Sequence, residues 1–385
     1  MNLQDFKTRV LRPLLDDAPV ASSDPVYLFA AELDQPERFV FESDRWDDVI
    51  GASRQIARAG ERITAVLAAD GFTPDDALHL DSTGFLVLVH DPDLLPRWTE
   101  SLTRAVAEET SVVTLSTAVL RLAASQLHGG LYRNPAAVLG VPGVNDYQER
   151  INRYYGIDQA SSIPRGEAVA KRRHFGEALA VLRGRLRRAQ ETPSLTPFYD
   201  ALAFARRCAS CQRRPAERLD AGAEPICGVC WRKRKAGSDI SSADRGLVWI
   251  EAIGLERVLE DQRTIGAYQR LSRDIDENLR VVASGDVLLS GGGHIRFVVE
   301  KALQAATKAL EEIRTQYENH APAPFVAVVI TRGSPGEMAT LAQMAIQNLY
   351  RSPEGFLIDV REAGTAFDRF RKPLTLDEAR RRSMP

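Results

Sequence analysis

The sequence repeats one order of apolar segments on the two sides of a cysteine-rich stretch. The first half predicts a strand, a helix, two strands joined by a tight turn, a helix and a strand, at 25–33, 44–69, 77–89, 92–109 and 112–122. The order β-α-β-β-α-β is typical of a ferredoxin-like split β-α-β domain. We therefore expect the first half to fold as one such domain.

The second half predicts the same architecture. Its first apolar strand, 246–251, ends in an acid, as the run 27–32 does in the first half. A helical stretch, two strands around a run of glycines, a helix, a strand, a further helix and a last strand follow, at 255–283, 286–299, 300–319, 325–330, 335–350 and 355–360. The sequence therefore predicts an α+β protein with two ferredoxin-like domains of one architecture.

All four cysteines of the chain lie between the two halves, in two Cys-x-x-Cys pairs. The pairs Cys208/Cys211 and Cys227/Cys230 are separated by fifteen residues, a spacing at which two knuckles close a tetrahedral cage of sulfur around zinc. Two disulfides, or four unrelated core thiols, are the alternatives. Four protein ligands leave no open position for water, so we expect a structural Zn²⁺ ion that stabilises a module between the halves.

Length and composition set the outer limits of what the chain can be. Its 385 residues exceed what one hydrophobic core usually serves, so two main domains are expected. The 44% hydrophobic and 26% charged residues are ordinary for a globular protein, and the net charge of -2 indicates no partner by itself. The first residues carry no secretory signal pattern, and no apolar run is long enough to span a membrane. We expect a cytoplasmic protein without a membrane partner.

Basic residues cluster in the helical stretch before the cysteines and again directly after them. A single basic helix face is most often solvated surface. The second cluster favours the alternative, a surface that contacts the backbone of a nucleic acid. The candidate RNA-binding residues are Arg172, Arg173, Arg185, Arg188, Arg232 and Arg234.

Several segments resemble a known family, the large palm-domain subunit of type III CRISPR effector complexes. The segment 197–234, which includes both cysteine pairs, is similar to the zinc segment of that family. Gly51-Ala52-Ser53 resembles the start of a helix in its first palm domain, and 264–272 resembles the helix after the first strand of its second palm domain. The resemblance extends from about residue 26 to residue 362.

The resemblance implies two palm domains that flank the zinc module, and an assembly with other CRISPR effector subunits and with guide and target RNA. In active members, the second palm makes cyclic oligoadenylate from ATP, and its hairpin reads Gly-Gly-Asp-Asp, whose acids hold magnesium. The matching positions here are Gly291, Gly292, Gly293 and His294, so both acids are missing. One carboxylate, Glu251, stays on the first strand of this domain.

The missing acids predict a degenerate scaffold subunit in antiviral defence rather than an enzyme. Glycines let backbone amides approach a phosphate, so ATP with Mg²⁺ is a candidate ligand. The candidate nucleotide-binding residues are Gly291, Gly292, Gly293, His294 and Glu251. The family's N-terminal nuclease domain is also expected to be missing, because no His-Asp pair occurs in the first 78 residues.

Two other functions are open at this point. One is a nucleotide-binding regulator without turnover. The other is a nucleotidyl cyclase that uses Glu32, Asp34 and Asp81 of the first half, where strand ends and a hairpin could bring the three carboxylates to one metal. Acids at strand ends and turns are, however, most often solvated or capping residues.

The expected domain boundaries follow from these segments. They are a first palm-like domain at 1–130, a helical basic linker at 131–207, the zinc module at 208–240, a second palm-like domain at 241–366 and a basic tail at 367–385. The tail carries several arginines beyond Phe367 and is expected to be mobile.

Overall fold

The first half of the chain builds a four-stranded antiparallel sheet, with the strands in the order β2-β3-β1-β4. The computed structural model describes residues 1–20, 24–129, 175–191, 206–237, 245–317, 321–351 and 355–383. The strands of this sheet are β1 (Pro25–Leu33), β2 (Ala77–Leu80), β3 (Gly84–Val89) and β4 (Leu115–Ala123). The helices of this half are α1 (Leu3–Phe6), α2 (Arg12–Leu15), α3 (Pro36–Val40), α4 (Trp46–Ala69), α5 (Leu94–Thr110) and α6 (Ala124–Gly129).

The chain between the two large sheets forms a helix and a small cysteine module. The helix, α7 (Phe175–Glu191), packs on β4, and Arg185 donates a hydrogen bond to the carbonyl of Val119, N···O 2.6 Å. The module consists of β5 (Arg218–Leu219), β6 (Pro225–Ile226) and α8 (Gly228–Ala236). Helix α8 lies so close to α4 that a Cβ atom on Gly51 would be 1.7 Å from the carbonyl oxygen of Lys233.

The second half builds a six-stranded sheet, in the order β12-β11-β10-β7-β9-β8. Only the neighbours β10 and β11 are parallel. The strands are β7 (Gly246–Ala252), β8 (Asp286–Gly291), β9 (His294–Val299), β10 (Phe325–Thr331), β11 (Leu357–Glu362) and β12 (Leu374–Thr375). The helices are α9 (Leu255–Glu260), α10 (Ile265–Val282), α11 (Ala302–Gln316), α12 (Pro335–Leu349) and α13 (Leu376–Ser383).

Two hydrophobic cores hold the molecule together, and each draws residues from both large sheets. Side chains alternate between the two faces along a strand. Strand β1 therefore sends Leu28 into one core and Phe29 into the other, and β10 divides Val329 and Val328 between the same two cores. Since each core contains residues of both halves, the halves pack as one body of shared apolar contacts.

The structure confirms the predicted α+β class and the two hairpins, but two predictions were wrong. The predicted helix 255–283 is two helices, because the first helix ends at Glu260 and the second begins at Ile265. The side chain of Thr264 caps the second helix, α10, by accepting a hydrogen bond from the amide of Ala267. The tail is not mobile over residues 374–383. It forms β12 and α13, and it buries Leu376 and Ala379 in the core beside α11.

Candidate functional site

The four cysteines form one buried cluster. The Sγ atoms of Cys208, Cys211, Cys227 and Cys230 all lie within 4.8 Å of one another, and all four are free thiols, which removes the disulfide alternative. Cys227 also caps α8 by accepting a hydrogen bond from the amide of Cys230, N···S 3.4 Å. Four sulfurs at this separation fit tetrahedral coordination of a soft cation. The cluster can therefore hold a metal ion, and zinc stays our prediction for its identity.

Positive charge lies directly beside the cysteine cluster. Arg214 donates to Cys211, N···S 3.8 Å, and to both carboxylate oxygens of Glu42, at 2.7 and 2.9 Å. Lys233 is fully buried, lies 2.5 Å from an oxygen of Glu42, and is 3.8 Å from the ring centroid of Phe39. A divalent metal with four thiolates carries net negative charge, which Arg214 offsets at Cys211. The same contacts tie the module to the first half.

The two halves meet at their β-hairpins. Asp81, in the turn between β2 and β3, accepts a hydrogen bond through Oδ2 from the amide of Gly292, N···O 3.0 Å. Ser82 donates to the carbonyl of Ser290 at 3.0 Å. Gly291 has to be glycine, because a Cβ atom there would lie 2.2 Å from Oδ2 of Asp81. The predicted glycine turn and the predicted first-half acid Asp81 are therefore in direct contact.

His79 joins the two halves through charge. Its Nε2 lies 2.8 Å from Oδ2 of Asp81, and its Nδ1 lies 3.0 Å from the hydroxyl of Ser272 and 3.6 Å from Oδ2 of Asp276, both on α10. Burial alone would lower the pKa of His79, but the charge and hydrogen bond of Asp81, followed by the charges of Asp276 and Glu32, raise it to about 9. At pH 7 an imidazolium therefore stands between two aspartates of different halves.

The pKa of Asp81 shifts in the opposite direction. Burial alone would raise it, but the charge of His79 and the hydrogen bonds from His79 and Thr83 hold it well below its usual range. The other oxygen, Oδ1, accepts from the amide and hydroxyl of Thr83 at 2.6 and 2.7 Å and from the amide of Gly84 at 2.9 Å. Both carboxylate oxygens are thus saturated by protein donors.

The predicted first-half carboxylates do not converge on one metal. In the described ranges, the groups of three or more possible metal ligands within 4.8 Å of one another are the four cysteines and His79 with Asp81 and Asp276. Glu32 accepts from Gln190 at 3.0 Å, and burial raises its pKa. Asp34 accepts from the hydroxyl of Thr114 at 2.5 Å. The three acids therefore serve separate local contacts.

The glycine turn of the second hairpin packs against the side chain of Leu255. A Cβ atom on Gly293 would lie 2.1 Å from Cδ2 of Leu255, at the start of α9. Glu251 pairs across the strands with His294 and accepts a hydrogen bond from the hydroxyl of Tyr350. Burial raises the pKa of Glu251, although that hydrogen bond opposes the shift. The hairpin therefore presents no carboxylate at Gly293, and the carboxylate of Glu251 is hydrogen-bonded to Tyr350.

A cleft of about 800 Å³ opens beside this hairpin. Nε2 of His294, on its wall, is buried and has no hydrogen-bond partner among the described residues. Burial, and then the charge of Arg296, lower the pKa of His294 to about 4, so its imidazole is neutral at pH 7. The guanidinium of Arg296 stacks 3.6 Å from the ring centroid of Trp249 and lies 3.3 Å from Glu37 of α3. The cleft is lined by both charges, with Glu37, Glu42 and Glu251 among the acids and Arg38, Arg213 and Arg296 among the cations.

Sequence reasoning did not identify His79, Asp276 or Arg296 as functional candidates. Arg296 could have been found, because it follows His294 by two residues and must share its face of β9. His79 and its partner Ser272 are 193 residues apart, and no local pattern predicts that contact.

Comparison with known proteins gives the fold. No family model matches the sequence, and no curated protein matches it. Among solved structures, Csm1 in T. onnurineus matches with a TM-score of 0.58 and 10% identity, over 92% of this chain and 56% of that one. This chain has a Csm1-like fold.

Two Csm1-Csm4 cassettes match in the same way. The cassette in complex with pppApApA has a TM-score of 0.55 and 10% identity, over 88% of this chain and 53% of that one. The apo cassette has a TM-score of 0.52 and 12% identity, over 92% of this chain and 57% of that one. The Csm1-like fold thus covers nearly all of this chain, which spans little more than half the length of the chains that it matches.

The predicted RNA-binding arginines occupy different environments in the Csm1-like fold. Arg172 and Arg173 lie outside the described residues. Arg185 is half-buried and bonded to β4, Arg188 is exposed on α7, and Arg232 is half-buried on α8. Arg234 donates to both oxygens of the buried Asp48, at 3.1 and 3.0 Å, and forms an ion pair with Asp220. In the described ranges, no helix is long and apolar enough to cross a membrane.

Proposed function

We propose that this chain is a subunit of a type III CRISPR-like, RNA-guided effector complex, and that it serves there as a scaffold that does not make cyclic oligoadenylate. The Csm1-like fold supports the proposal, because the matched structures are Csm1 alone and Csm1 in a cassette with Csm4. A Csm4-like subunit and guide or target RNA are the partners that we assign to it.

We also propose that the two large sheets are the cores of two ferredoxin-like palm domains, at 1–130 and 241–366. Their equivalent strands lie in the same order, β2-β3-β1-β4 in one and β8-β9-β7-β10 in the other, which supports this assignment. The linker 131–207, the zinc module 208–240 and the tail 367–385 complete the proposed division. The zinc is structural, since four cysteines leave it no open position.

The observation that carries the scaffold role is the chemistry of the second hairpin. Phosphoryl transfer to a hydroxyl needs magnesium held by carboxylate oxygens. Here the first position is Gly293, whose Cβ direction is filled by Leu255, and the second is a neutral imidazole, a poor ligand for magnesium. Glu251, which stays nearby, is held by Tyr350. Two metal ions have no ligand set at this hairpin.

The first hairpin does not supply a substitute. Asp81 is the acid there, and protein donors occupy both of its oxygens. A metal ion on Oδ2 of Asp81 would compete with the hydrogen bonds from His79 and from the amide of Gly292, which join the halves. This supports a structural role for Asp81 and weakens the cyclase alternative.

Incubation of the purified chain with radiolabelled ATP and magnesium or manganese, with and without RNA, tests the proposal. We expect no oligoadenylate product under any of these conditions. The matched variant combines Glu32→Ala with Asp34→Ala, which removes two first-half carboxylates and leaves the Asp81 contacts intact. Product that the wild type forms and the variant does not would replace the scaffold with a cyclase that uses the first half. Product from both would overturn the scaffold role as well.

The cleft beside His294 favours a second candidate, a regulator that binds a nucleotide without turnover. Arg296 is 4% exposed and keeps its Nε without a hydrogen-bond partner among the described residues, beside an unpartnered Nε2 of His294. Such atoms fit a phosphate. Calorimetric titration with ATP, in buffer that contains a metal chelator, is the test. A regulator binds ATP, and its Arg296→Met variant binds ATP more weakly. A pure scaffold gives no heat of binding in the wild type or in the variant. Salt-sensitive RNA binding, by contrast, is expected only of the scaffold.

A further inference from the structure

The turn between β11 and β12 presents an aromatic ring to solvent. Phe370 is 87% exposed, more than any other large hydrophobic side chain in the described ranges. A single exposed apolar residue is common on protein surfaces and indicates nothing by itself. What sets Phe370 apart is the combination of a hydrogen-bonded turn and cations next to it in the sequence.

Buried groups hold the turn from below. Arg361, which is 4% exposed, forms an ion pair with Asp359 at 2.8 Å and donates to the carbonyl of Asp368 at 2.6 Å. The guanidinium of Arg361 also lies 4.9 Å from the ring centroid of Phe367. Asp368 in turn accepts a hydrogen bond from the amide of Phe370 at 2.9 Å. The ring therefore projects from a pre-ordered turn, and a ligand that bound it would lose little backbone freedom.

Three cations lie next to Phe370 in the sequence. Arg369, Arg371 and Lys372 are all exposed, and within the described residues none of them has an ion pair. The guanidinium of Arg369 lies 5.7 Å from the ring centroid of Phe370. The one acid of this stretch, Asp368, is engaged in the turn. Single-strand binding proteins combine cations that follow the phosphates with aromatic rings on which bases stack.

We propose that Phe370 is a stacking platform for a base of single-stranded RNA, whose phosphates Arg369, Arg371 and Lys372 hold. RNA is favoured as the partner over an apolar groove of another protein. A phenylalanine that docks in such a groove usually has apolar neighbours, whereas the residues on both sides of Phe370 in the sequence are charged. The platform rests on the proposed function, since it is in an RNA-guided complex that the chain would meet such a strand.

Fluorescence anisotropy of the full chain tests the platform. The probes are a labelled oligoadenylate of about 12 nucleotides and an abasic ribose-phosphate strand of the same length. Phe370→Ala removes the ring, Phe370→Leu keeps an apolar side chain without a π face, and Phe370→Trp keeps the π face. The wild-type ring is exposed, so none of these changes removes a core contact.

We expect Phe370→Ala and Phe370→Leu to bind the oligoadenylate about tenfold more weakly than the wild type, the stacking contribution of one base. Phe370→Trp should bind at least as tightly as the wild type, and all four proteins should bind the abasic strand equally. RNA binding that no substitution changes would overturn the platform and leave the proposed function standing. Wild-type affinity in Phe370→Leu alone would indicate apolar docking and overturn stacking. Failure of the wild type to bind either strand would overturn the platform together with the RNA-binding part of the proposed function.

Discussion

Asp81 is 6% exposed, and its two oxygens accept hydrogen bonds from His79, Thr83, Gly84 and Gly292. We expect Asp81→Ala to lower the free energy of unfolding by about 3 kcal/mol, because the imidazolium of His79 keeps only the more distant Asp276, at 3.6 Å, and several buried donors lose their acceptor. Urea denaturation measures the loss.

The control for Asp81→Ala is an exposed acid. Glu100 pairs with Arg104 one helical turn away, and its side chain is 73% exposed. Glu100→Ala should cost less than about 0.5 kcal/mol, as surface ion pairs do. Equal losses in the two variants would show that the Asp81 contacts contribute no stability.

His79 makes the contact between the halves depend on pH. Its folded pKa of about 9 lies above the ordinary 6.5, so protonation stabilises the folded chain. The stabilisation is complete below about pH 6.5 and is lost as the pH rises through about 9. The difference in unfolding free energy between the wild type and His79→Gln should therefore be large near pH 6 and small near pH 10, as measured by urea titration. If the difference in unfolding free energy between the two proteins did not vary with pH, His79 would not be a stabilising imidazolium in the folded chain.

Helices α4 and α8 depend on glycine at their crossing. A Cβ atom on Gly51 would lie 1.7 Å from the backbone oxygen of Lys233, which cannot move without shifting α8. Alanine is the better helix former by about 1 kcal/mol, yet we expect Gly51→Ala to destabilise the chain by at least about 2 kcal/mol.

Gly184, inside α7, is the matched control for Gly51. A Cβ atom on Gly184 would meet nothing within 4 Å, so Gly184→Ala should stabilise the chain by up to about 1 kcal/mol. If α4 and α8 are in such close contact, thermal denaturation should show a lower melting temperature for Gly51→Ala and a higher one for Gly184→Ala. A change of melting temperature in the same direction in both variants would contradict the close contact of the two helices.

Apolar periodicity predicted the strands and helices well where one segment decides its own structure. The run Phe325–Thr331 is a strand in any context that buries both faces, and Ser82-Thr83-Gly84 predicts a hairpin locally. The end of α9 before Thr264 and the packing of α13 were missed, because a four-residue gap between helices and a short basic helix carry weak local signals.

The cysteine site could be predicted from spacing alone, whereas the contact between the halves could not. Metal ligands must be near each other in the fold, and two Cys-x-x-Cys pairs at this spacing are a recognisable sequence pattern for such a site. Asp81 and Gly292, by contrast, are 211 residues apart, and each looks like an ordinary turn residue. Their pairing depends on how the two sheets share their cores, which only the folded molecule shows.

The cysteine module clamps the whole molecule, because Arg214, Lys233 and Arg234 on it bind acids of the first half. We expect about one zinc per chain by elemental analysis, and we expect Cys227→Ser with Cys230→Ser to remove it and to lower the melting temperature by at least about 5 °C. Without metal, four thiols replace the negative charge beside Arg214, which then keeps only Glu42 as its anionic partner. Leu219→Ala, an exposed change in the same module, should alter neither zinc content nor melting. An unchanged melting temperature in the metal-free double variant would show that the module does not stabilise the rest of the fold.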